Sequence, residues 1–289
     1  MHASSPHSQA DARSVLITGC SSGIGRCLAE GLKARGYRVF ACARKPADVE
    51  ALAREGFESV ALDLDSSESI AAAVDHVLAR TGNRLYALIN NAGYSQPGAV
   101  EDLSRAALRA QFETNVFGTH ELTARLLPVF RARNEGRIVQ ISSVLGFVCL
   151  PYRGAYNASK HALEALSDTL RLELRGTNVY VSLIEPGPIA TRLRENAYAR
   201  FRAHILPEQS NHRERYAAVE RRLREQGKAL FALPPTAVLA KVMRALEARR
   251  PRARYRVTLP THVLAVIRRL LPDRALDHVL ALVGGDGRR

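Results

Sequence analysis

The sequence predicts an α/β protein built on a doubly wound parallel sheet. Short, almost continuously apolar runs alternate with helical patterns over residues 14–184, and the first run stops at a glycine cluster. Strands that are apolar on both faces are typical of parallel sheets covered by helices on both sides. Right-handed crossovers between such strands wind the sheet in two directions from its middle.

The elements are predicted from β-branched apolar runs and from helical spacing of apolar residues. The predicted strands are Ser14–Thr18, Tyr37–Cys42, Glu58–Leu62, Leu85–Asn90, Arg137–Ser142 and Asn178–Ile184, with an edge strand over Arg254–Leu259. The predicted helices are one through Leu28 and Leu32 that ends at Gly36, then Ser69–Arg80, roughly Ser104–Arg131, Tyr156–Arg175 and Pro234–Ala248.

The pattern divides the chain into a tail, one domain and an extension. Residues 1–12 are polar and predict a disordered tail, and residues 13–260 form the predicted domain. Within it, the Arg-rich segment 188–235 predicts a helical substrate lid. Residues 261–289 are a basic extension, amphipathic over Thr261–Leu282 because Val263, Ile267 and Leu270 recur at helical spacing.

Composition excludes several classes of protein. The 289 residues are 24% charged and 46% hydrophobic, which argues against global disorder. The first residues lack the pattern of a secretory signal, and no run of about 18 apolar residues occurs. The 4 Cys show neither metal-ligand spacing nor disulfide-scaffold density. A cytoplasmic protein without a metal site is therefore predicted.

The positive charge is concentrated at one end. The formal net charge is +14, and residues 188–289 hold 22 Lys and Arg against 9 Asp and Glu, a net of +13. This excess predicts either a solvated Arg-rich surface or peripheral contact with an anionic membrane through Thr261–Leu282. No nucleic-acid-binding motif accompanies it, so nucleic acid is not expected as a partner.

A glycine loop joins the first strand to the first helix. Its sequence, Thr18-Gly19-Cys20-Ser21-Ser22-Gly23-Ile24-Gly25, has the spacing G-x-x-x-G-x-G. Such glycines form either a plain structural turn or a loop whose backbone approaches a pyrophosphate at the helix N-terminus. The position between strand and helix favours the dinucleotide site.

Two cations follow the second strand, where the adenosine ribose of a dinucleotide should lie. Arg44 and Lys45 would bind a 2′-phosphate, whereas an acidic residue there would repel it. NADP(H) is therefore predicted in preference to NAD(H), with a solvated basic loop as the alternative. Asp63, after the third strand, either accepts a hydrogen bond from the adenine amino group or caps a turn.

A second constellation has the chemistry of proton transfer. Tyr156 and Lys160 are spaced i, i+4, so they share one helix face, and an ammonium favours the tyrosine anion. Ser143, with Ser142 as the alternative, ends a strand and could polarise a reacting oxygen. Asn115, in an apolar stretch, either holds a backbone irregularity beside Lys160 or is a satisfied core residue.

Taken together these motifs resemble the short-chain dehydrogenase/reductase family. The chain has, in order, TGCSSGIG (18–25), NNAG (90–93), Asn115, ISS (141–143), YNASK (156–160) and PGPIAT (186–191). The resemblance implies a Rossmann-type sheet of about seven strands and a catalytic tetrad of Asn115, Ser143, Tyr156 and Lys160. In that family the tyrosine is the acid or base, the serine polarises the carbonyl, and the lysine lowers the tyrosine pKa and binds the nicotinamide ribose. The asparagine supports a proton relay through water.

The resemblance also extends the predicted binding sites. The cofactor residues are Gly19, Ser21, Ser22, Gly23, Ile24, Gly25, Arg44, Lys45, Asp63, Asn91, Ala92, Gly93, Tyr156, Lys160, Pro186, Gly187, Ile189 and Thr191. The substrate residues are Ser143, Leu145, Cys149, Leu150 and Tyr94. Most of the latter are apolar, so a lipophilic aldehyde or ketone is predicted as the substrate; the chain looks most similar to the steroid and retinoid dehydrogenase branch and its bacterial aldehyde-reductase relatives.

Other readings stay open at this point. The same scaffold supports epimerisation or dehydration, and a cofactor-binding regulatory protein without turnover would also keep the fold. Arg153 either admits an acidic substrate or pairs with a nearby carboxylate. The family resemblance suggests a homodimer or homotetramer with interfaces around helices 104–131 and 154–175.

Overall fold

Seven parallel strands form one sheet in the order β3-β2-β1-β4-β5-β6-β7. The computed structural model describes residues 12–224 and 231–284. The strands are β1 Ser14–Ile17, β2 Arg38–Ala43, β3 Glu58–Ala61, β4 Leu85–Asn90, β5 Gly136–Ile141, β6 Val179–Glu185 and β7 Arg254–Arg256. The order runs outward from β1 in one direction and from β4 in the other, which confirms the predicted doubly wound, Rossmann-type fold.

Helices cover both faces of this sheet. They are α1 Gly23–Ala34, α2 Pro46–Arg54, α3 Ser67–Thr81, α4 Arg105–Phe112, α5 Thr119–Arg133, α6 Gly154–Glu173, α7 Leu193–His204, α8 Arg213–Arg224, α9 Thr236–Glu247, α10 Leu259–Leu270 and α11 Asp273–Gly284. Helix α2 has no counterpart among the predicted elements. Within the described ranges, no helix is both long enough and apolar enough to cross a membrane.

Two apolar cores lie on opposite faces of the sheet. Val15 and Ile17 pack with α1 and α9 on one face, whereas Leu16 between them packs with α3 and α5 on the other. This alternation follows from the period of two residues in a strand. Because both faces of the central strands are covered, the residues at their carboxyl ends are held in fixed positions.

The predicted lid folds back onto the domain. Phe201 of α7 and Tyr216 of α8 are fully buried against Ala99 and Leu103. The Tyr216 hydroxyl accepts a hydrogen bond from the Ala99 amide at 2.9 Å and donates one to Asp102. Residues 225–230 of the predicted lid, most of the predicted tail and residues 285–289 of the extension lie outside the described residues.

The end of the chain differs from its predicted form. The edge strand β7 is only three residues long, and the amphipathic stretch Thr261–Leu282 falls in two helices, α10 and α11. Leu271 between them has extended backbone (φ −91°, ψ 140°), because the residue before a proline avoids helical conformation and Pro272 cannot donate a backbone hydrogen bond. Both helices pack onto the domain: Leu264 and Leu280 are buried beside Tyr156.

Candidate active site

A cleft opens at the carboxyl ends of β1, β4, β5 and β6, beside the point where the strand order reverses. Ligands of doubly wound sheets bind at such a switch point. The cleft is lined by Gly19, Ser21, Ser22, Gly23, Ile24, Asn91, Ala92, Gly93, Ile141, Ser142, Ser143, Tyr156, Lys160, Pro186, Gly187, Ile189, Thr191, Arg192, Leu193 and Asn196. The structure therefore brings most of the predicted cofactor residues together with three of the four predicted catalytic residues.

The glycine loop is tied to the end of β4 by Thr18 and Asn91. The Thr18 hydroxyl accepts hydrogen bonds from the backbone amides of Asn91 and Ala92, each at 2.9 Å. The Asn91 side chain donates to the carbonyl of Thr18 at 2.9 Å and to that of Gly19 at 3.2 Å. Asn91 therefore shapes the loop through its own amide, a role that the motif alone does not disclose.

Two glycines of this loop are required by its geometry. Gly19 has φ +72°, and a Cβ there would meet the Ala92 backbone at 3.0 Å. A Cβ on Gly25 would lie 2.1 Å from the Gly19 carbonyl oxygen, so this turn of α1 packs directly on the loop. The tight turn brings the N-terminus of α1 to the cleft, where its backbone N–H groups and dipole favour an anion.

The loop fits the pyrophosphate of a dinucleotide. Helix α1 begins at Gly23, and Ser22 at its N-cap makes no side-chain capping bond. No acidic residue occupies the first turn of the helix. Since neither a cap nor a carboxylate competes for the first N–H groups of α1, they are available to an anionic ligand in the cleft.

The predicted adenosine residues lie at the neighbouring strand ends. Arg44 and Lys45 are exposed directly after β2, the strand that pairs with β1, and neither lines the cleft described above. Asp63 follows β3, and its carboxylate accepts a hydrogen bond from the Asp65 amide at 3.1 Å, which forms a turn cap. Among the residues that the structure describes, none pairs with the side chain of Arg44 or Lys45, so both can reach a ligand, whereas Asp63 has an intramolecular role.

Tyr156 and Lys160 lie on α6, on the face toward β5. Tyr156 is 8% exposed and Lys160 6% exposed, although both line the cleft. The Lys160 ammonium donates to the Ile141 carbonyl at 2.8 Å and lies 5.8 Å from the centre of the Tyr156 ring. The predicted i, i+4 pair is therefore held rigidly at the end of β5, with its polar groups toward the cleft.

The environment shifts the pKa values of this pair in opposite directions. Burial raises the pKa of Tyr156 above its ordinary value, whereas a hydrogen bond with Ser143 and the charge of Arg153 lower it. Burial lowers the pKa of Lys160 to about 8, and the Glu164 carboxylate opposes that change. The protein alone therefore keeps Tyr156 protonated, which suits a proton donor.

The two serines after β5 are separated by their surroundings. The Ser143 hydroxyl accepts a hydrogen bond from the Leu145 amide at 3.1 Å and interacts with Tyr156. Ser142 also lines the cleft, but its hydroxyl lies toward the Glu164 carboxyl and makes no hydrogen bond within the described structure. Between these alternatives, Ser143 is the serine next to the tyrosine hydroxyl, in a position to hydrogen-bond the same substrate oxygen.

Asn115 lies in a π-helical segment, Glu113–Gly118, between α4 and α5. Its side-chain oxygen accepts from the Tyr94 amide at 3.1 Å, and its amide donates to the Tyr94 carbonyl at 3.0 Å and to the Ser159 hydroxyl at 3.1 Å. The backbone is irregular here, but the Asn115 amide pairs with the Tyr94 loop and with Ser159 rather than with the π-helical backbone, which agrees with the alternative of a satisfied core residue. Asn115 fixes the Tyr94 loop to α6 one residue before Lys160.

The predicted substrate residues occupy three different places. Ser143 lines the cleft with Tyr156, and Leu145 lies in the buried cluster of Val148, Leu264 and Leu280 that packs around the Tyr156 ring. Cys149 and Leu150 line a separate depression, which Tyr156 does not line, although Leu150 also packs against that cluster. Tyr94 is half-buried and lies 4.3 Å beneath the Arg200 guanidinium of α7. Of the five predicted substrate residues, Ser143 alone therefore lines the cleft.

Arg153 precedes α6 and has no carboxylate partner among the residues that the structure describes. Burial lowers its pKa, as do the neighbouring charges of Arg222 and Arg194. The predicted pairing with a nearby carboxylate is therefore not observed in the described ranges. Its charge instead acts on Tyr156, three residues further along the chain.

A buried ionic cluster lies behind the catalytic pair and was not predicted from the sequence. The Arg254 guanidinium of β7 bridges Glu164 at 2.9 Å, Asp168 at 2.6 Å and Glu185 at 3.1 Å. Glu185 also pairs with Arg256 at 3.3 Å. Burial raises the pKa of Glu185 to about 7 and that of Glu164 above its usual range. In the sequence, the i, i+4 spacing of Lys160 and Glu164 could have indicated that a carboxylate of this cluster lies beside the lysine.

Comparison with known proteins agrees with this geometry. Residues 13–200 match the family model described as short chain dehydrogenase, so the chain is an oxidoreductase of the short-chain dehydrogenase/reductase family. It is 47% identical over 268 residues to the uncharacterized oxidoreductase YbbO of Escherichia coli K12, covering 93% of this chain and 94% of that protein.

Two further proteins that resemble this chain are described together with their nicotinamide cofactors. The chain is 34% identical over 275 residues to the NADPH-dependent 3-dehydrocapnine reductase of Ornithobacterium rhinotracheale, covering 92% of this chain and 95% of that protein. A short-chain dehydrogenase/reductase from Burkholderia phymatum solved with NAD superposes with a TM-score of 0.74 at 28% identity, covering 90% of this chain and 93% of that structure. Both nicotinamide cofactors thus occur among similar proteins.

Proposed function

We propose that this protein is an NADP(H)-dependent carbonyl reductase, which reduces a lipophilic aldehyde or ketone or oxidises the matching alcohol. The observation that carries the proposal is the position of Tyr156 between two environments. Its hydroxyl lies beside Ser143 at the cleft, and its ring packs against Leu145, Leu264 and Leu280. The cleft itself is lined by further aliphatic side chains, among them Ile141, Ile189 and Leu193. A proton donor in such surroundings suits a hydrophobic carbonyl better than a sugar.

The residues divide the reaction between them. The bound nicotinamide supplies the hydride that reaches the carbonyl carbon. The Ser143 hydroxyl orients and polarises the carbonyl oxygen, and Tyr156 transfers its proton to that oxygen as the alcohol forms. The Lys160 ammonium, fixed by the Ile141 carbonyl, stabilises the tyrosine anion left behind. In alcohol oxidation the same proton returns to Tyr156.

The preference for NADP(H) is supported by charge. Arg44 and Lys45 are exposed at the end of β2, and no described carboxylate pairs with either. A charge-assisted hydrogen bond to a phosphate contributes roughly 1.5–3 kcal/mol. The NADPH-dependent relative supports the same choice, while the fold itself accepts either cofactor.

The proposal also covers the domain organisation, the cellular location and the oligomeric state of the protein. Segment 188–235 acts as the substrate lid of a domain that spans 13–260, and the protein is cytoplasmic. The chain forms a homodimer or homotetramer; large apolar side chains exposed near and on α5 and α6 (Phe117, Leu166 and Leu172) support an interface there. The complete set of Asn115, Ser143, Tyr156 and Lys160 without an added catalytic group argues against an epimerase or dehydratase, and a cofactor-binding protein without turnover would not need Tyr156 and Lys160 together.

One assay tests the proposal. Consumption of NADPH and of NADH is followed with aliphatic, aromatic, retinoid and steroid carbonyls, for the wild type and for Tyr156→Phe. We expect consumption of NADPH in preference to NADH and its loss in Tyr156→Phe, with NADPH binding retained. Arg44→Gln/Lys45→Gln should raise the KM for NADPH about tenfold or more and leave that for NADH nearly unchanged. Equal NADPH binding without turnover in both proteins would favour the non-catalytic alternative.

A further inference from the structure

Helix α10 presents a row of exposed aliphatic side chains. Leu259 is 62% exposed, Val263 45%, Val266 56% and Leu270 74%. Their spacing of four, three and four residues puts all four on one side of the helix. Few soluble helices leave a complete aliphatic stripe in water, and such stripes mark an interaction surface. We call these four residues the α10 stripe.

The opposite side of α10 is buried against the active site. Thr261, Leu264 and Ala265 are at most 6% exposed, and Leu264 contacts the cluster that contains Tyr156. The Arg268 guanidinium donates to the Phe147 carbonyl in the loop after β5. The helix is therefore fixed to the domain, and its two apolar sides face the catalytic tyrosine and the solvent.

Charge along the stripe favours one kind of partner. Helix α10 contains Arg268 and Arg269 and no acidic residue, and Arg269 follows Val266 by three positions, so it flanks the stripe. Helix α11 begins with exposed charges of both signs (Asp273, Arg274 and Asp277), so the positive excess lies on α10 itself. Aliphatic residues flanked by arginines are typical of helices that lie in the interface of an anionic bilayer.

We infer that the α10 stripe docks the protein on an anionic membrane surface, next to the cleft that receives its substrate. The stripe is one helix wide and has no aromatic residue, whereas a stable protein interface buries roughly 800 Å² on each partner and is enriched in aromatic anchors. The inference goes beyond the proposed reaction because it also says where the substrate comes from. A lipophilic carbonyl partitions into a bilayer, and α10 would hold the cleft next to that bilayer.

Sedimentation with vesicles tests the inference without any turnover, so its failure is distinct from failure of the proposed reduction. The probes are vesicles of phosphatidylcholine alone and of phosphatidylcholine with phosphatidylglycerol. The variant Val266→Gln/Leu270→Gln removes half of the stripe with residues that favour helix. Leu206→Gln, at a 62% exposed position that follows α7, is the matched control.

We expect the full-length protein to bind the anionic vesicles, and the double variant to bind them at least about tenfold more weakly, because it buries less apolar surface in the bilayer. Arg269→Gln should weaken binding to the anionic vesicles only. The inference is wrong if the wild type does not bind, or if the double variant binds like Leu206→Gln. It is also wrong if light scattering shows that the double variant dissociates an oligomer while vesicle binding is unchanged, because a second copy then covers the stripe.

Discussion

Glu164 lies one helical turn after Lys160 on α6, and both side chains are 6% exposed. Glu164 also pairs with Arg254 at 2.9 Å, so charges of alternating sign run from the catalytic lysine to the edge of the sheet. Burial of an ammonium disfavours its charged form and lowers its pKa, whereas a carboxylate on the next turn opposes this change. Glu164 is therefore a positioning residue that keeps Lys160 charged.

This relationship predicts the pH dependence of a variant. Glu164→Gln removes the negative charge that raises the pKa of Lys160, so that pKa should fall further below its present value of about 8. The alkaline limb of the kcat/KM profile for carbonyl reduction should move to lower pH, because Lys160 then loses its proton earlier. Steady-state rates between pH 6 and about 9.5 measure this shift.

Asp168→Asn provides the control for that measurement. Asp168 pairs with the same Arg254 at 2.6 Å but does not contribute to the pKa of Lys160. Its profile should keep the alkaline limb of the wild type even if some stability is lost. Equal shifts in the two variants would mean that damage to the Arg254 cluster, rather than the charge of Glu164, controls the lysine.

A second prediction concerns the two serines after β5. Ser143→Ala removes the hydroxyl next to Tyr156 and should lower kcat about 10²- to 10³-fold, as does loss of one donor to a developing oxyanion. Ser142→Ala, which removes a contact with Glu164, should change kcat less than about tenfold. Single-turnover rates with saturating NADPH separate this effect from substrate binding. A larger loss in Ser142→Ala would reverse the assignment.

A third prediction concerns stability. Glu185 is 1% exposed, and its pKa is raised from 4.5 to about 7, first by burial and then by the charge of Glu164. The folded protein therefore holds a proton that the unfolded chain releases between about pH 4.5 and 7. Since the folded state binds more protons in that window, this group lowers the free energy of unfolding as the pH rises through it.

Glu185→Gln cannot titrate, so its free energy of unfolding should fall less steeply over the same window. Urea unfolding at a series of pH values gives the slope. Glu135→Gln, a change at a partly exposed carboxylate paired with Arg133 at 2.9 Å, should keep the slope of the wild type. A Glu185→Gln slope identical to that of the wild type would show that the carboxyl is ionised throughout.

The sequence was sufficient for the features that depend on local spacing. Alternating apolar runs predicted six strands at nearly their observed positions, and the i, i+4 spacing placed Tyr156 and Lys160 on one face of α6. The amphipathic spacing over Thr261–Leu282 did not show where a helix ends, because the apolar periodicity continues across the break at Pro272 that separates α10 from α11.

Long-range contacts could not be predicted in the same way. Arg254 reaches Glu164 across 90 residues, and nothing in the local pattern distinguishes these side chains from surface charges. Leu264 and Leu280 likewise fit an amphipathic helix in many environments, so their packing beside Tyr156 depends on how the chain end folds back. Both features depend on tertiary packing, which determines what a given apolar or charged face contacts.

The last prediction tests whether the chain end forms part of the active site. Leu280 of α11 is 6% exposed within the cluster around Tyr156, whereas Leu282, two residues later, is 61% exposed. Leu280→Ala should cost about 2–5 kcal/mol of unfolding free energy through a buried cavity, and Leu282→Ala less than about 0.5 kcal/mol. Leu280→Ala should also raise the KM for long-chain carbonyls more than for short ones, because the aliphatic cluster around Tyr156 then offers less apolar area to a long chain. Urea unfolding and a chain-length series of aldehydes measure both effects. If Leu280→Ala loses stability but retains the chain-length dependence of the wild type, α11 supports the fold without contacting the substrate.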